Sequence, residues 1–267
     1  IILNLNNIQD FYRYKVEIYN AVPLKKLEIF NIKFKEESYL PISMLNHSDI
    51  NETHNGFSLD IVKNEYEYKL ENFTQNRFHN LKFDKGDKIR VSSNHELLVG
   101  KPIPLKQEKR KRKKLVLVMF FDAFSASLFD KYSLEELIPN TYNYFKKGII
   151  FKKCHSNSEF TLPSLASICT GKYVSNHKFF HPRERQVIGK KEKLISQYFQ
   201  EEGYFTQLIS SNVGQNPYQG HSLGYDRTVY KNWLKHQDVL YEFLDSFRVF
   251  KNRDIFTWLS FFDIHHN

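Results

Sequence analysis

Cysteine is scarce in this 267-residue chain: there are two, Cys154 and Cys169. Two cysteines build no disulfide framework, and no CxxC pair points to a thiolate zinc site. Cys169 falls in an apolar helical pattern and reads as a small buried hydrophobe. Also missing is any apolar stretch long enough to span a membrane as a helix. No internal repeat and no signal-peptide pattern is visible. The chain starts Ile1-Ile2-Leu3 without methionine and ends at His265-His266-Asn267, so it reads as a fragment of a longer protein. Missing targeting segments therefore carry no weight, and the compartment is left open.

Acidic residues are outnumbered, and the formal net charge is +9. Such a balance raises a nucleic-acid reading. It is set aside, because Lys is accompanied throughout by Asn, Ile, Phe and Tyr, a compositional bias of the whole chain. Much of the excess also lies in one run, Lys109-Arg110-Lys111-Arg112-Lys113-Lys114, which reads as a solvated linker. The charge also suits anionic substrates or membrane surfaces.

What is present centres on Thr161. It opens the run Thr161-Leu162-Pro163-Ser164-Leu165-Ala166-Ser167-Ile168-Cys169-Thr170-Gly171-Lys172. Pro near the start and Gly just past the end predict a short helix. Its amino end gathers unpaired N–H groups and partial positive charge, which suits a phosphate or sulfate. Thr also commonly caps a helix, so position alone leaves two roles for Thr161.

Leu115-Val116-Leu117-Val118-Met119-Phe120-Phe121 is apolar without alternation. It predicts a buried strand of a parallel or mixed sheet. Asp122 follows at its carboxyl end, where open α/β sheets bind ligands.

Residues 1–105 read differently. Phe30, Ile32 and Phe34 alternate with polar neighbours, as do Phe57, Leu59 and Ile61, then Tyr66, Tyr68 and Leu70. This predicts half-buried antiparallel strands in a small β-rich accessory domain. Turn signals fall at Pro41, Asn55-Gly56 and Asp84-Lys85-Gly86. The sequons at Asn46, Asn51 and Asn72 are attributed to chance in an Asn-rich chain. A basic linker is expected at 106–114.

Beyond it comes α/β alternation over 115–267. Pro139 and Gly148 bracket a helix, Ile149-Ile150-Phe151 reads as a short strand, and Ile195 to Gly203 as a helix. Phe205 to Ile209 and Phe256 to Phe262 read as further strands, the second running into Asp263-Ile264-His265-His266.

In order, these pieces resemble the amino-terminal half of a sulfatase-like domain of the alkaline phosphatase superfamily. Asp122 after its apolar strand resembles the first metal-binding element. Ile138-Pro139-Asn140 through Phe151 resembles the segment "TPNLDRLAEEGVVF". Thr161-Leu162-Pro163-Ser164 with Thr170-Gly171-Lys172-Tyr173 resembles "CxPSR…TGRY". Gly203-Tyr204 with Gly224-Tyr225-Asp226 resembles "GY…GFD", and Asp263-Ile264-His265 resembles "DxH". The resemblance implies a three-layer α/β/α sandwich, partial here.

The departures shape the expected chemistry. Sulfatases convert the signature Cys to formylglycine, which Thr161 cannot become, and Leu165 replaces the signature's arginine. Calcium-holding relatives carry two adjacent acids after the first strand, whereas Ala123 follows Asp122. Calcium takes six to eight oxygen ligands, so the loss of one carboxylate favours zinc or manganese over calcium. A Thr nucleophile with one acid resembles the phosphodiesterase and phosphotransferase branches. The resemblance implies a phosphoester substrate, on a glycan or lipid head group, attacked by Thr161 with Asp122 sharing its metal.

Further candidates follow from the same resemblance. Asp263 and His265 are expected as metal ligands, with His265 also able to donate to substrate and Asp263 able to orient a neighbouring histidine. Asn212 is a candidate donor to a phosphoryl oxygen. Lys172 is a candidate for substrate binding or for supporting the nucleophile's helix. His177 and His181 follow the signature, and one of them could face the pocket. A binuclear site needs a further Asp-His pair from a later strand, which this chain lacks, so little turnover is expected of it alone. A sulfuric ester hydrolase and a non-catalytic glycan-binding protein are the competing readings.

Overall fold

The computed structural model describes residues 15–45, 58–71, 78–105, 113–151, 153–181, 187–188 and 192–265. Phe57, the Asn55-Gly56 turn, the three sequons, most of the basic linker and His266 lie outside the described residues.

A mixed five-stranded sheet carries the second part of the chain. Its first member is β1 (Val16–Tyr19), which comes from the amino-terminal region. Residues 21–104 then supply antiparallel strands: β2 (Ala21–Leu24), β3 (Phe30–Lys33), β4 (Ser38–Met44), β5 (Ser58–Lys63) and β6 (Tyr66–Glu71). β7 (His79–Phe83), β8 (Lys88–Ser92), β9 (Leu97–Gly100) and β10 (Ile103–Pro104) complete them. The mixed sheet continues with β11 (Leu115–Phe121), β12 (Phe205–Ser210), β13 (Arg227–Tyr230) and β14 (Ile255–Phe261). Its order is β1-β13-β12-β14-β11. All neighbours run parallel except β1, which pairs antiparallel with β13.

Strand β1 therefore crosses the boundary expected at 106–114. Buried Arg227 ties it in place, donating to Glu17 of β1 at 2.8 Å and to Glu242 at 2.6 Å. Two carboxylates around one guanidinium compensate the desolvation that an unpaired buried charge would suffer.

Strands β12 and β14 are buried along their whole length, as central parallel strands covered on both faces must be. On one face, Leu162, Leu165 and Ala166 of the Thr161–Thr170 helix pack with Leu208, Phe256 and Trp258. On the other, Val239 and Phe243 of the His236–Phe250 helix pack with Ile209, Val229 and Leu259. Gln207, trapped between, is satisfied: it donates to Thr257 at 2.9 Å and accepts from Ser246 at 2.7 Å.

The expectation of a buried strand fails for β11. It lies at the sheet edge, so Val116, Val118 and Phe120 pack inward while Leu115, Leu117, Met119 and Phe121 stay exposed. An unbroken apolar run does not distinguish an edge from a centre. Ile149-Ile150-Phe151 is not a strand either; all three are exposed and pair with nothing described. The helix before it runs Pro139–Phe145.

The antiparallel strands form two sheets that share one core, with Leu40, Ile42 and Met44 against Leu59, Ile61, Ile89 and Val91. A separate cluster joins them to the mixed sheet. Tyr19, Leu98 and Ile103 meet Phe205, Phe250 and Ile255 at the amino ends of β12 and β14. Among the described residues, no helix is long and apolar enough to cross a membrane.

Candidate active site

The opposite, carboxyl ends of β11 and β12 carry the site. Asp122 follows β11 directly, its N–H bonded to Phe261 O at 3.1 Å. Ala123 turns the chain away in the left-handed region, φ 62°. For a residue with a Cβ this costs on the order of 1–2 kcal/mol, and such strain collects at functional sites. The Ala123 N–H donates back to Asp122 Oδ1 at 3.0 Å.

Thr161 is the first residue of its helix. Phe160 holds the capping position, and no side chain caps the helix. The Thr161 hydroxyl is directed instead to Asp122, 3.2 Å from Oδ1 and 3.1 Å from Oδ2. Gly171, at φ 67°, ends the helix in the left-handed turn that Gly adopts freely.

Asn212, fully buried after β12, completes the cluster. Its Nδ2 donates to Asp122 Oδ2 at 2.7 Å, and its Oδ1 accepts from Gly214 N at 2.7 Å. Expected as a donor to substrate, it here holds the carboxylate. Gly214 is the residue the sequence reading missed. A Cβ on it would stand 2.8 Å from the Thr161 methyl, so the nucleophile's side chain leaves no room for one. A lone glycine in a loop carries no signal of this; the clash partner is remote in sequence.

The other candidates are placed elsewhere. Lys172 sits at the far end of the ten-residue helix, about 15 Å along its axis, and pairs with Glu192. His177 is buried, and its Nδ1 accepts from Phe179 N at 3.1 Å. Nε2 therefore carries the proton of the neutral ring and reaches Ser167 Oγ at 2.9 Å, so His177 braces the helix. Burial holds its pKa below the usual histidine value. The His181 ring lies 4.7 Å from that of Phe160, next to Thr161 in the chain.

Asp263 accepts from the N–H of His236 at 3.1 Å and meets His236 Nδ1 at 2.8 Å. Despite some burial, these bonds hold its carboxyl below the usual aspartate range. The ring of His265 stacks on Phe262 at 4.3 Å. The expected ligand set of Asp122, Thr161, Asp263 and His265 is thus not gathered. Among the described residues, no three His, Cys, Asp or Glu side chains are placed to share a metal ion.

Asp122 nevertheless suits a cation. It is 8% exposed, and its hydrogen-bond partners among the described residues are the neutral donors Thr161, Ala123 and Asn212. A buried carboxylate without a counter-charge is costly, and a bound cation would compensate it. Asp122 and Thr161 supply two ligating residues for a divalent ion; a catalytic zinc site takes three protein ligands.

The family model described as Sulfatase matches residues 114–253. The chain belongs to the sulfatase family. The superfamily to which this family belongs generally uses divalent metals. No curated protein matches it. Among solved structures it is similar to a ruminal GH26 endo-β-1,4-mannanase at 13% identity, over 47% of this chain and 31% of that one, TM-score 0.17. A Corynascus thermopiles (Myceliophthora fergusii) carbohydrate esterase family 2 enzyme with a carbohydrate-binding domain matches at 10% identity, over 92% and 78%, TM-score 0.18. Overlaps this poor carry no argument about fold or function.

Proposed function

We propose that this sulfatase-family protein cleaves or transfers a phosphoester through Thr161. The observation that carries the reading is the Thr161 hydroxyl, which leaves the helix uncapped to face Asp122. The uncapped helix end adjoining it offers N–H groups to an oxyanion. A threonine at this position has no route to formylglycine, which argues against sulfuric ester hydrolysis.

In this mechanism Thr161 Oγ bonds to phosphorus in line as the bond from phosphorus to the alcohol oxygen breaks. The Thr161 proton passes to Asp122, and the departing alkoxide takes a proton from solvent. Asn212 fixes the Asp122 carboxylate through both steps. Water then attacks phosphorus and loses a proton to solvent, while Asp122 returns its proton to the Thr161 oxygen as that bond breaks; a monoester substrate thus releases phosphate and a diester its remaining monoester, and an acceptor alcohol in place of water gives transfer. A divalent ion held by Asp122 and Thr161, zinc or manganese ahead of calcium, would supply charge stabilisation to the alkoxide and to the phosphoryl oxygens.

The helices on both faces of the mixed sheet support a partial α/β/α sandwich over 115–267, extended by β1. The antiparallel sheets form the β-rich accessory domain. A glycan or lipid head group bears the ester.

The test is assay of the intact protein with bis(4-nitrophenyl) phosphate and 4-nitrophenyl sulfate, with zinc, manganese or calcium. Phosphodiester turnover and a 4-nitrophenylphosphoryl ester on Thr161 by mass spectrometry are expected, both lost in Thr161→Ala with the fold retained. Turnover unchanged in that variant would falsify the assignment. Preferential sulfate turnover would return the protein to sulfuric ester hydrolysis, and absence of both turnover and bound metal to a binding role.

A further inference from the structure

A cleft of about 740 Å³ opens between the antiparallel strands and the amino ends of the mixed sheet. Gly203 and Tyr204 precede β12, Asp226 precedes β13 and Arg253 precedes β14, and all line it. Asp122 and Asn212 lie past the carboxyl ends. The six residues of β12 put about 20 Å between the two places, so the cleft is separate from the candidate active site.

The charges lining the cleft are unequally occupied. Asp226 is held by Gln200 Nε2 at 2.8 Å and by Thr206 through its N–H at 3.0 Å and its hydroxyl at 3.2 Å. Glu201 pairs with Lys193. Glu36 is the acid of the lining whose side chain makes no hydrogen bond or ion pair among the described residues, although its charge acts on Arg253 together with those of Asp226 and Asp254. Against it stand Lys33, Lys35 and Lys101, equally without partners there, and Arg253. Arg253 donates through Nη2 to Gly203 O at 2.8 Å, while its buried Nε has no partner. Nε has no accessible surface, so Arg253 acts on the contents of the cleft through its charge.

We propose that this cleft binds an oxyanion-bearing polyol of about disaccharide size. The volume lies within the range of small-molecule sites and far exceeds a single phosphate or sulfate. The lysines and Arg253 match sulfate, phosphate or carboxylate groups. Asn20 and Gln200 line the same space with amides, which match the hydroxyls of the ligand body. The ligand is a charged saccharide or an inositol phosphate headgroup, which share this chemistry.

The test is calorimetric titration of the whole protein with a sulfated heparin disaccharide, inositol trisphosphate, neutral maltotriose and sodium sulfate. At least one of the first two is expected to bind about tenfold or more tighter than both controls, and more weakly as salt rises. Which of them binds distinguishes saccharide from headgroup, and either outcome upholds the shared chemistry. Lys33→Ser/Lys35→Ser/Lys101→Ser should weaken binding about tenfold or more, as should Arg253→Gln. Glu36→Gln should tighten it. Because lysine is abundant throughout the chain, Lys146→Ser/Lys147→Ser/Lys153→Ser is the composition control and should leave affinity unchanged. Equal loss in the control triple, equal binding of maltotriose, or no binding overturns the proposal. The triple lysine variant alters exposed side chains, so it remains informative if Arg253→Gln does not fold. Thr161→Ala should bind normally, which separates failure here from failure of the catalytic reading.

Discussion

Asn212 Nδ2 donates to Asp122 Oδ2 across 2.7 Å, joining the end of β12 to the end of β11 over the intervening β14. Both residues are buried, so the bond is shielded from competing water. Asn212→Asp would set two carboxylates against each other, and one of them would have to keep a proton. The expected cost is about 1–3 kcal/mol at pH 7, shrinking as pH falls and the pair takes up that proton. Urea unfolding of both proteins at pH 7 and pH 5 checks this. A larger deficit at pH 5 would contradict it. Turnover should fall at least about tenfold in the same variant, because Asp122 loses its fixed position.

Gly214 faces the nucleophile with no Cβ to spare. Gly214→Ala would bring a methyl to 2.8 Å from Thr161 Cγ2 and 3.1 Å from Thr161 Cβ. Overpacking of this kind costs about 1–3 kcal/mol and here displaces the reacting hydroxyl. Turnover should drop by about tenfold or more, since small misplacements at a reacting centre are amplified. Thr161→Ser removes Cγ2, so the double variant Gly214→Ala/Thr161→Ser should regain part of the loss. Kinetics of the four proteins form the cycle, and strictly additive losses would rule out the clash.

The pairing of Asp122 with Thr161 was readable because each marks an end of an element: a carboxylate closing an apolar run, and a hydroxyl opening a helix bounded by Pro163 and Gly171. Strand positions were readable for the same reason, as at Leu115–Phe121. Partners chosen in space were not. Asp263 follows β14 as expected, but the N–H at the start of the His236–Phe250 helix competes for it. Asn212 was expected to face substrate and turned to Asp122, because a buried amide takes the nearest charged acceptor. Gly214 mattered only once Thr161 lay opposite. The exposed face of β11 depended on strand order, which an apolar run does not encode.

Asp263 gives a prediction about stability rather than chemistry. It accepts the N–H at the start of the His236–Phe250 helix, which Lys235 leaves without a side-chain cap. Asp263→Ala should therefore cost about 1 kcal/mol at pH 7, as the loss of a capping carboxylate does. The folded pKa is lowered, so this contribution is present above the unfolded aspartate value. It is lost as pH falls below about 4. Denaturant midpoints at pH 7 and pH 3 should show the variant's deficit at the first pH and its narrowing at the second. A deficit independent of pH would mean that the carboxylate charge plays no part.

His221 makes the fold sensitive to pH. It is 2% exposed, and neither ring nitrogen has a hydrogen-bond partner among the described residues. Burial alone pushes its pKa down to about 4. The ring must therefore stay neutral in the folded chain, while the unfolded chain takes up a proton near pH 6.5. Stability should fall as pH drops from about 6.5 to about 4, by about 1.4 kcal/mol per unit from this residue at full slope. His221→Leu should flatten that limb. It should also retain stability at pH 7, because the ring nitrogens it removes make no hydrogen bonds among the described residues. Urea unfolding of both proteins between pH 7 and pH 4.5 measures the two slopes. His177, also held neutral by burial, leaves a smaller residual slope in the variant. Identical slopes in the two proteins would mean that His221 finds a hydrogen-bonding partner or solvent when it is protonated.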